Sequence, residues 1–250
     1  MTTLRHEQSR VSNQRSIYEP VWPQERFIVP LLRRKIERAL AAYAVPAPPQ
    51  GRLLDAGCGR QPFRSALESM GYSYTGVDAQ QNLEGTVDVI CALDRPLPTD
   101  LMSRAPFDFV LCTEVLEHVA DWNAAFRNLV TLMAPGARLL VTCPHFYQLH
   151  EEPYDFWRPT LHALRYYGDR AGLTILDQEA AGDAWDVLGT LLANCKPAPA
   201  SSQLPDRAAA KLAAVGHHLL FNALSNRRLQ GMVHMHGPLY LSNIVVFEKP

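Results

Sequence analysis

The chain has 250 residues, 47% of them hydrophobic, and a formal net charge of −1. This length suits one globular domain with additions, and near neutrality gives no general attraction to nucleic acid. Five scattered cysteines without a C-x-x-C pair predict free thiols in a reducing cytoplasm, four of them as small core residues. The polar N-terminus predicts no secretory signal, and no apolar run is long enough to suggest a membrane span.

In chain order, apolar residues first recur at helical spacing from about residue 24 to 43, between basic residues. We then expect strands at about 51–56, 72–77, 86–91, 107–112, 137–143, 173–180 and 239–247. Helices are expected between them at about 61–70, 97–103, 119–133 and 160–171. This alternation predicts an α/β fold in which helices cover both faces of a mostly parallel sheet.

The first predicted strand runs into the sequence Leu53–Gly59 (LLDAGCG), where Asp55 marks the strand end. Gly57 and Gly59 carry no Cβ, so the backbone can turn sharply there and approach a ligand closely. The N–H groups of the following helix face the same place. A second acid, Asp78, ends the next strand. Together these features indicate a nucleotide-type cradle.

Charge narrows the choice of nucleotide. A dinucleotide site reads G-x-G-x-x-G, but its third glycine would fall at Pro62, and Asp55 would repel a pyrophosphate. A ligand with an ammonium or sulfonium group would instead be attracted. S-adenosylmethionine has both groups and no phosphate, and a carboxylate at Asp78 can accept hydrogen bonds from both ribose hydroxyls.

Four segments in this order resemble the successive motifs of class I S-adenosylmethionine-dependent methyltransferases: Leu53–Gly59, Gly76–Ala79, Phe107–Val119 and Leu132–Pro144. Glu114–Val119 (EVLEHV) is similar to the small-molecule subgroup that includes the ubiquinone-pathway O-methyltransferases. The resemblance covers roughly residues 50 to 180. It implies a Rossmann-like fold with a seven-stranded sheet, an antiparallel last strand and a helical insertion before that strand.

The resemblance also implies S-adenosylmethionine as cofactor, S-adenosylhomocysteine as product and no metal. It assigns a set of residues to the cofactor: Asp55, Gly57, Cys58, Gly59, Asp78, Ala79, Ala92, Leu93, Cys112 and Glu114. Relatives often carry an acid for the adenine amino group where Ala92 stands. Whether Asp94, two residues later, reaches the adenine stays open.

The segment Pro144–Thr160 leaves the fifth strand at the end where substrates meet the methyl group, and it is dense in aromatic and titratable side chains. Imidazoles titrate near neutrality, so the candidates for a general base are His145, His150 and His118. Packing or capping is the alternative role. Four residues are candidates for substrate contacts: Tyr154, Asp155, Trp157 and Arg158. Asp155 and Arg158 could instead pair and brace the loop, and Thr160 is expected to cap a helix.

We expect a single domain over 1–250. Its parts are an N-terminal arm and lid helix at 1–49, a cofactor-binding core at 50–182, a substrate-side helical insertion at 183–238 and a final strand at 239–250. Residues 1 to about 20 are expected to be loose, and the insertion is expected to set substrate selectivity. Basic residues beside an apolar helix at 206–236 suggest a peripheral membrane contact.

The function predicted is methyl transfer to a small molecule, at an oxygen of a sugar, lipid-linked glycan or secondary metabolite. Two alternatives stay open. A protein that binds S-adenosylmethionine without catalysis would fit the departure at Ala92. A nucleic-acid methyltransferase is less favoured, because Thr113–Leu116 stands where an Asn/Asp-Pro-Pro-Tyr motif would be expected, and the net charge is nearly zero.

Overall fold

The computed structural model describes residues 16–44, 50–233, 235 and 237–250. Most of the arm that we expected to be loose, residues 1–15, lies outside the described residues, as does the link at 45–49. In the described part, no helix combines the length and apolarity needed to cross a bilayer.

Within the described residues, seven strands form one sheet in the order β3-β2-β1-β4-β5-β7-β6. They are β1 Arg52–Ala56, β2 Ser73–Asp78, β3 Val89–Ile90, β4 Phe107–Thr113, β5 Met133–Pro144, β6 Thr174–Ala181 and β7 Ser242–Glu248. β7 is antiparallel to both β5 and β6, and the strands from β3 to β5 pair in parallel. The predicted α/β class and the antiparallel last strand are confirmed.

Eight α-helices surround this sheet in the described part of the chain. They are α1 Ile28–Tyr43, α2 Arg64–Ser69, α3 Thr99–Arg104, α4 Trp122–Leu132, α5 Leu161–Arg170, α6 Ala184–Asn194, α7 Leu204–Leu224 and α8 Arg227–Met232. Short 3₁₀ turns occur at Pro23–Glu25 and Leu116–His118. The last three α-helices are the predicted insertion before the final strand.

The two faces of the sheet carry separate apolar cores. Leu53 packs with residues of α1, α2 and α6, whereas its neighbour Leu54 packs with residues of α3, α4 and α5. Successive side chains of a strand point to opposite faces, which explains this division. Because the central strands are covered on both sides, they are hydrophobic almost throughout, as expected for a parallel sheet between helices.

The bounds of two strands differ from the prediction. β3 is only Val89–Ile90, because side chains of Gln81 and Asn82 accept the N–H groups of Val87 and Thr86 and hold that stretch as a loop. β5 begins at Met133, and its register with β4 shifts between the pairs of Phe107 and Phe109. α7 begins at Leu204 because Pro205 fits the first turn of a helix.

The helix cap predicted after the long loop is confirmed. The Thr160 hydroxyl accepts the N–H of Ala163 at 3.4 Å and begins α5. α5 then packs so closely on β7 that a Cβ on Gly168 would lie 2.3 Å from Cε1 of Phe247. The end of the Pro144–Thr160 segment is therefore anchored to the core, which fixes where that segment meets the strand ends.

Candidate functional site

A cavity of about 1050 Å³ opens at the carboxyl ends of β1, β2 and β4. This is where ligands bind in open parallel sheets. Its walls come from four places: the strand ends and turns at Asp55–Gly59 and Asp78–Gln80, the segment Cys91–Arg95, the turn at Thr113–Val115 and His118, and the loop at Tyr147–Tyr154. A fifth wall is made by residues 16–32, which lie within the arm and lid helix expected at 1–49.

The Asp55 carboxyl forms the floor of the cavity at the end of β1. It is buried and accepts a 2.5 Å hydrogen bond from the Tyr74 hydroxyl. Burial raises the pKa of Asp55 to about 7, and the nearby Asp78 charge adds to this, while the Tyr74 hydrogen bond acts in the opposite direction. A cationic group beside this carboxyl would lower its pKa and favour the ionised form.

The glycine turn follows directly. Gly57 has φ +80°, and a Cβ there would lie 2.3 Å from Cγ2 of Val115. Its N–H and that of Cys58 both donate to the carbonyl of Val77, which binds the turn to β2. Gly57 is thus required both by its left-handed backbone and by the close packing of the turn after β4.

Asp78 stands across the turn at the end of β2. Its Oδ2 accepts the Gly59 N–H at 2.9 Å, and its Oδ1 lies 3.3 Å from the N–H of Gln80. The carboxylate therefore fixes the glycine turn and still lines the cavity. Asp55 and Asp78 are the two acids that the sequence predicted at neighbouring strand ends, and the fold brings them to one cavity. We call Asp55, Gly57, Gly59 and Asp78 the acidic cradle.

The next wall is the segment after β3. Ala79, Ala92 and Leu93, which the resemblance assigned to the cofactor, line the cavity. Asp94, whose reach the sequence left open, lines it too, and its Oδ2 is 3.5 Å from the N–H of Asp121. An acid is therefore available on the wall where Ala92 offers none.

The N-terminal segment covers one side of the cavity. Glu25 is buried and accepts the N–H groups of Val21 at 2.7 Å and Trp22 at 3.1 Å. The Tyr18 ring lies 5.1 Å from that of Phe63, between ring centroids. This segment belongs to the arm and lid helix expected at 1–49, although helical periodicity alone did not indicate which of its residues face the cavity.

The turn after β4 carries two acids in unusual settings. Glu114 has φ +53°, a conformation that side-chain-bearing residues rarely adopt. Its Oε1 accepts from the Thr142 hydroxyl at 2.8 Å and lies 3.3 Å from that of Ser242. Glu117 is fully buried, and burial together with the Glu114 charge raises its pKa well above the ordinary value. Backbone strain of this kind concentrates at functional sites.

The loop after β5 folds over this turn through backbone contacts. The Glu117 carbonyl accepts the N–H of Phe156 at 2.8 Å and that of Trp157 at 3.2 Å. Nδ1 of His118 lies 2.8 Å from the Tyr154 carbonyl oxygen. These contacts bring His150 to the turn, and its ring centroid is 4.8 Å from that of His118.

We call Glu117, His118 and His150 the acid–imidazole cluster. Glu151, which also has a positive φ of 53°, places Oε2 3.9 Å from Nε2 of His118. Burial lowers the pKa of His150, and the positive charge of a protonated His118 would lower it further. His118, His150, Glu151 and Tyr154 all line the same cavity as the acidic cradle.

Asp155 and Arg158 form an ion pair. The sequence predicted either such a pair, bracing the loop, or contacts to the substrate. Nη1 and Nη2 of Arg158 donate to the two carboxylate oxygens of Asp155 at 2.6 and 2.7 Å. Asp155 also accepts the His150 N–H at 2.8 Å. Burial alone would raise the pKa of Asp155, but these hydrogen bonds and the Arg158 charge lower it. The pair braces the loop behind His150 and does not line the cavity.

A family profile described as "Methyltransferase domain" matches residues 25–178, more than half of the chain. The chain belongs to this family of methyltransferase domains. The match runs from the covering N-terminal segment through both strand-end acids to the loop after β5 and on to β6.

Curated relatives are similar over a shorter stretch. A ubiquinone biosynthesis O-methyltransferase of Caulobacter sp. (strain K31) is 34% identical over 99 residues, 36% of this chain and 39% of the relative. A protein of the same name from Caulobacter vibrioides (strain ATCC 19089 / CIP 103742 / CB 15) is 34% identical over 119 residues, 42% of this chain and 47% of the relative. The chain thus spans less than half of the length of these relatives.

Solved structures share the fold. A SAM dependent methyltransferase from Archaeoglobus fulgidus superposes with a TM-score of 0.51 at 16% identity, over 87% of this chain and 94% of that one. The [4+2]-cyclase SpnF superposes with a TM-score of 0.53 at 18% identity, over 92% and 98%. The same architecture is found in proteins named for two different reactions, so the reaction has to be argued from the site.

Several residues that the family resemblance or the loop composition had suggested lie outside the cavity wall. Cys112 is fully buried within the sheet core. His145 stacks on Tyr240 with ring centroids 4.2 Å apart, and its Nδ1 is 2.9 Å from the Pro159 carbonyl oxygen. The Trp157 indole donates to the Val119 carbonyl at 2.9 Å. For these three residues the local contacts describe packing, since none of them lines the cavity.

Proposed function

We propose that this methyltransferase domain uses S-adenosylmethionine to methylate an oxygen of a small-molecule acceptor. The observation that carries the proposal is the acidic cradle, in which Asp55 and Asp78 meet at one cavity across a glycine turn. The names of the curated relatives, O-methyltransferases of ubiquinone biosynthesis, support oxygen as the methylated atom. Acceptors from sugars to lipid-linked glycans and secondary metabolites remain within the proposal.

The chemistry of the residues at the cavity fits this cofactor. Asp55 is buried at the strand end, and an ammonium group beside it would favour its ionised form and be attracted to it. A phosphate would be repelled by the same two acids. The basic residue nearest the turn, Arg60, is held by both carboxylate oxygens of Glu84, so it is not poised to neutralise a phosphate. Asp94 adds an acceptor for an amino group on the wall after β3.

S-adenosylmethionine, when bound, supplies a methyl group on a positively charged sulfur that leaves as a neutral thioether. The chain's own tasks are then binding and alignment. Asp55 and the glycine turn would hold the amino acid end, and Asp78 would hold the ribose. Good alignment of two reactants is worth about 7–11 kcal/mol, so these residues account for most of the acceleration.

Proton removal from the acceptor is the remaining task. His118 offers Nε2 toward the cluster while Nδ1 faces the Tyr154 carbonyl, which favours the tautomer with the proton on Nδ1. A base in this position adds about 10²–10⁴-fold to the rate. The Tyr18 and Trp22 side of the cavity would exclude water from the reacting groups.

We further propose that the protein is cytoplasmic and meets its substrate at a membrane surface. Four of the five cysteines are buried free thiols, which suits a reducing compartment. α7 exposes a row of apolar residues beside Arg207 and Lys211: Leu204, Leu212, Val215 and Leu219. Cosedimentation with anionic vesicles should remove protein from the supernatant, and Arg207→Gln with Lys211→Gln should reduce this. No sedimentation at low salt would contradict the membrane contact.

The proposed reaction is tested by incubating the protein with methyl-labelled S-adenosylmethionine and fractionated pools of hydroxylated metabolites. The expected result is S-adenosylhomocysteine together with a labelled product resistant to mild acid, and neither with Asp78→Ala. Product formed only with nucleic acid would instead indicate a nucleic-acid methyltransferase. Tight cofactor binding without turnover in any pool would favour a non-catalytic binding protein and contradict the proposal.

A further inference from the structure

The Asp55 carboxyl is held from the core side by a tyrosine that does not itself line the cavity. The Tyr74 hydroxyl donates to Oδ2 of Asp55 at 2.5 Å, a distance typical of a hydroxyl bound to a carboxylate. Tyr74 is buried in the apolar core that also contains residues of α1 and α2, and it is absent from the cavity wall. The cavity therefore meets the carboxyl, while the tyrosine holds it from behind.

The pairing of β1 with β2 explains how the ring reaches this carboxyl. Leu53 lies opposite Tyr74, and Asp55 lies opposite Gly76. Residues two apart on a strand share a face of the sheet, so all four lie on the same side. A Cβ on Gly76 would come within 3.2 Å of Cε1 of Tyr74. The place opposite Asp55 is thus left without a side chain, and the Tyr74 ring extends along the strand into it.

A guanidinium group lies against the other face of this ring. Cζ of Arg64, on α2, is 5.0 Å from the centroid of the Tyr74 ring. Arg64 is fixed there because it donates to Oε1 of Glu68 at 2.8 Å and to Oε1 of Gln61 at 3.1 Å. The ring attracts a cation on its face, and the positive charge makes the hydroxyl a stronger hydrogen-bond donor. Burial and the Asp55 charge raise the pKa of Tyr74 far above its usual value, so the hydroxyl keeps its proton.

We propose that Tyr74 is a positioning residue for cofactor binding, which orients the Asp55 carboxylate and favours its ionised form, with Arg64 supporting the tyrosine hydroxyl. The inference rests on the proposed function, in which Asp55 receives the ammonium group of the cofactor. Burial disfavours an ionised carboxyl, whereas a hydrogen bond donated to the charged form favours it. Without the tyrosine hydroxyl, Asp55 would ionise only at a higher pH and would present less negative charge to the ligand near neutrality.

The other titratable groups around Asp55 do not supply this effect. Asp78, at the end of β2, raises the pKa of Asp55. The thiols of Cys58 in the glycine turn and Cys112 on β4 stay neutral, because burial and nearby carboxylates raise their pKa. Arg64 on α2 acts through the tyrosine ring that lies between. The tyrosine hydroxyl is therefore the group that opposes burial at this carboxyl.

The pH dependence of S-adenosylhomocysteine affinity in Tyr74→Phe tests the proposal. A hydrogen bond to a charged group shifts a pKa by about 1–2 units, so calorimetry should show binding about 10-fold or more weaker than wild type at pH 6.5. At pH 9, where Asp55 is ionised in both proteins, the two affinities should agree within about threefold. Tyr72→Phe removes a buried hydroxyl from the same core and should bind like the wild type at both pH values.

Either of two results would overturn this role. An equal loss of affinity at pH 6.5 and pH 9 would assign Tyr74 to packing alone, and affinities like those of the wild type at both would assign it no role. Arg64→Met keeps the tyrosine hydroxyl and removes the cation from its ring. This second variant should shift the affinity profile in the same direction by a smaller amount.

Thermal unfolding without cofactor gives an independent measurement. Because folding raises the pKa of Asp55 to about 7, its contribution to stability falls as the pH rises toward 7 and then levels off. In Tyr74→Phe this fall should continue to higher pH, so its midpoint should trail the wild type by about 2–4 °C more at pH 9 than at pH 6. In Tyr72→Phe the difference from the wild type should not change with pH.

The two measurements also separate this inference from the proposed function. Cofactor binding by the wild type together with a midpoint difference that is the same at pH 6 and pH 9 would contradict the role of Tyr74 and leave the proposed function intact. A pH-dependent midpoint difference in a wild-type protein that fails to bind S-adenosylhomocysteine would contradict the proposed function, and with it the role of Tyr74 in cofactor binding.

Discussion

One wall of the cavity consists of two neighbouring strand ends, and another wall consists of a turn and a loop that come from different parts of the chain. The acidic cradle is fixed by the pairing of β1 with β2, in which Asp55 lies opposite Gly76. The acid–imidazole cluster is fixed by backbone contacts to Glu117 and by the Asp155–Arg158 pair. The first wall shares the stability of the sheet, and the second depends on a few contacts. Substitutions that disrupt one wall should therefore leave the structure of the other wall unchanged.

Breaking the cradle should give the largest effect. Asp78→Ala removes an acceptor for two ribose hydroxyls, and charge-assisted hydrogen bonds are worth about 1.5–3 kcal/mol each, so S-adenosylhomocysteine should bind about 100-fold or more weakly. Calorimetric titration measures this. Asp100→Asn, an exposed acid on α3, is the matched control and should bind normally. Equal affinity in the two variants would remove Asp78 from the binding wall.

Breaking the brace of the other wall should destabilise the fold while leaving the cradle intact. Arg158→Ala leaves the buried Asp155 carboxylate without its charge partner, which costs about 3 kcal/mol. The thermal midpoint should fall by about 6–12 °C. Arg104→Ala breaks an exposed pair with Asp100 and should change the midpoint by little.

A calorimetric scan of both arginine variants, followed by S-adenosylhomocysteine titration at a temperature where each is folded, separates the two walls. The account expects unchanged cofactor affinity in Arg158→Ala. If cofactor affinity falls in parallel with thermal stability, the two walls form one cooperative unit and are not stabilised independently.

The pH dependence of cofactor affinity sharpens the description of the cradle. With a pKa of about 7, Asp55 is mostly protonated at pH 6 and mostly ionised at pH 8 in the protein without ligand. The ammonium group of S-adenosylhomocysteine favours the ionised form of Asp55, so affinity should rise about tenfold from pH 6 to pH 8. Titrations in matched buffers measure the slope, and Asp55→Asn should abolish it. A slope that persists in this variant would assign the proton to another group.

The smallest effect is expected from the Thr160 cap, which holds the end of the loop after β5. Thr160→Ala removes the side-chain cap of α5, which is worth about 1 kcal/mol, so the thermal midpoint should fall by about 2–4 °C. Thr160→Ser keeps the hydroxyl and should behave like the wild type. A drop of the same size in Thr160→Ser would point to packing of the methyl group instead of the cap.

The cradle was predictable from sequence because its parts are adjacent strand ends, and parallel pairing must bring Asp55 and Asp78 to the same edge. The cluster was not predictable as a unit. His118 and His150 were named as candidates, but nothing in their spacing says that Tyr154 and Phe156 would bond to the EVLEHV turn and bring the imidazoles together.

His145, another histidine of the same loop, packs against the end of the chain instead of facing the cavity. It stands at the beginning of the same loop and is chemically equivalent to His150, yet it stacks on Tyr240, which comes from the far end of the chain. Composition identifies a loop rich in titratable groups, but long-range packing decides which of them face the cavity.

A crystal structure of the protein with S-adenosylhomocysteine tests the central claim most directly, because it locates both ends of the ligand at once. The account predicts that the ribose hydroxyls contact Asp78, that the amino acid end lies beside Asp55 and the glycine turn, and that the sulfur faces the acid–imidazole cluster across the cavity. Ligand bound elsewhere, or bound with its sulfur turned away from His118 and His150, would contradict the account.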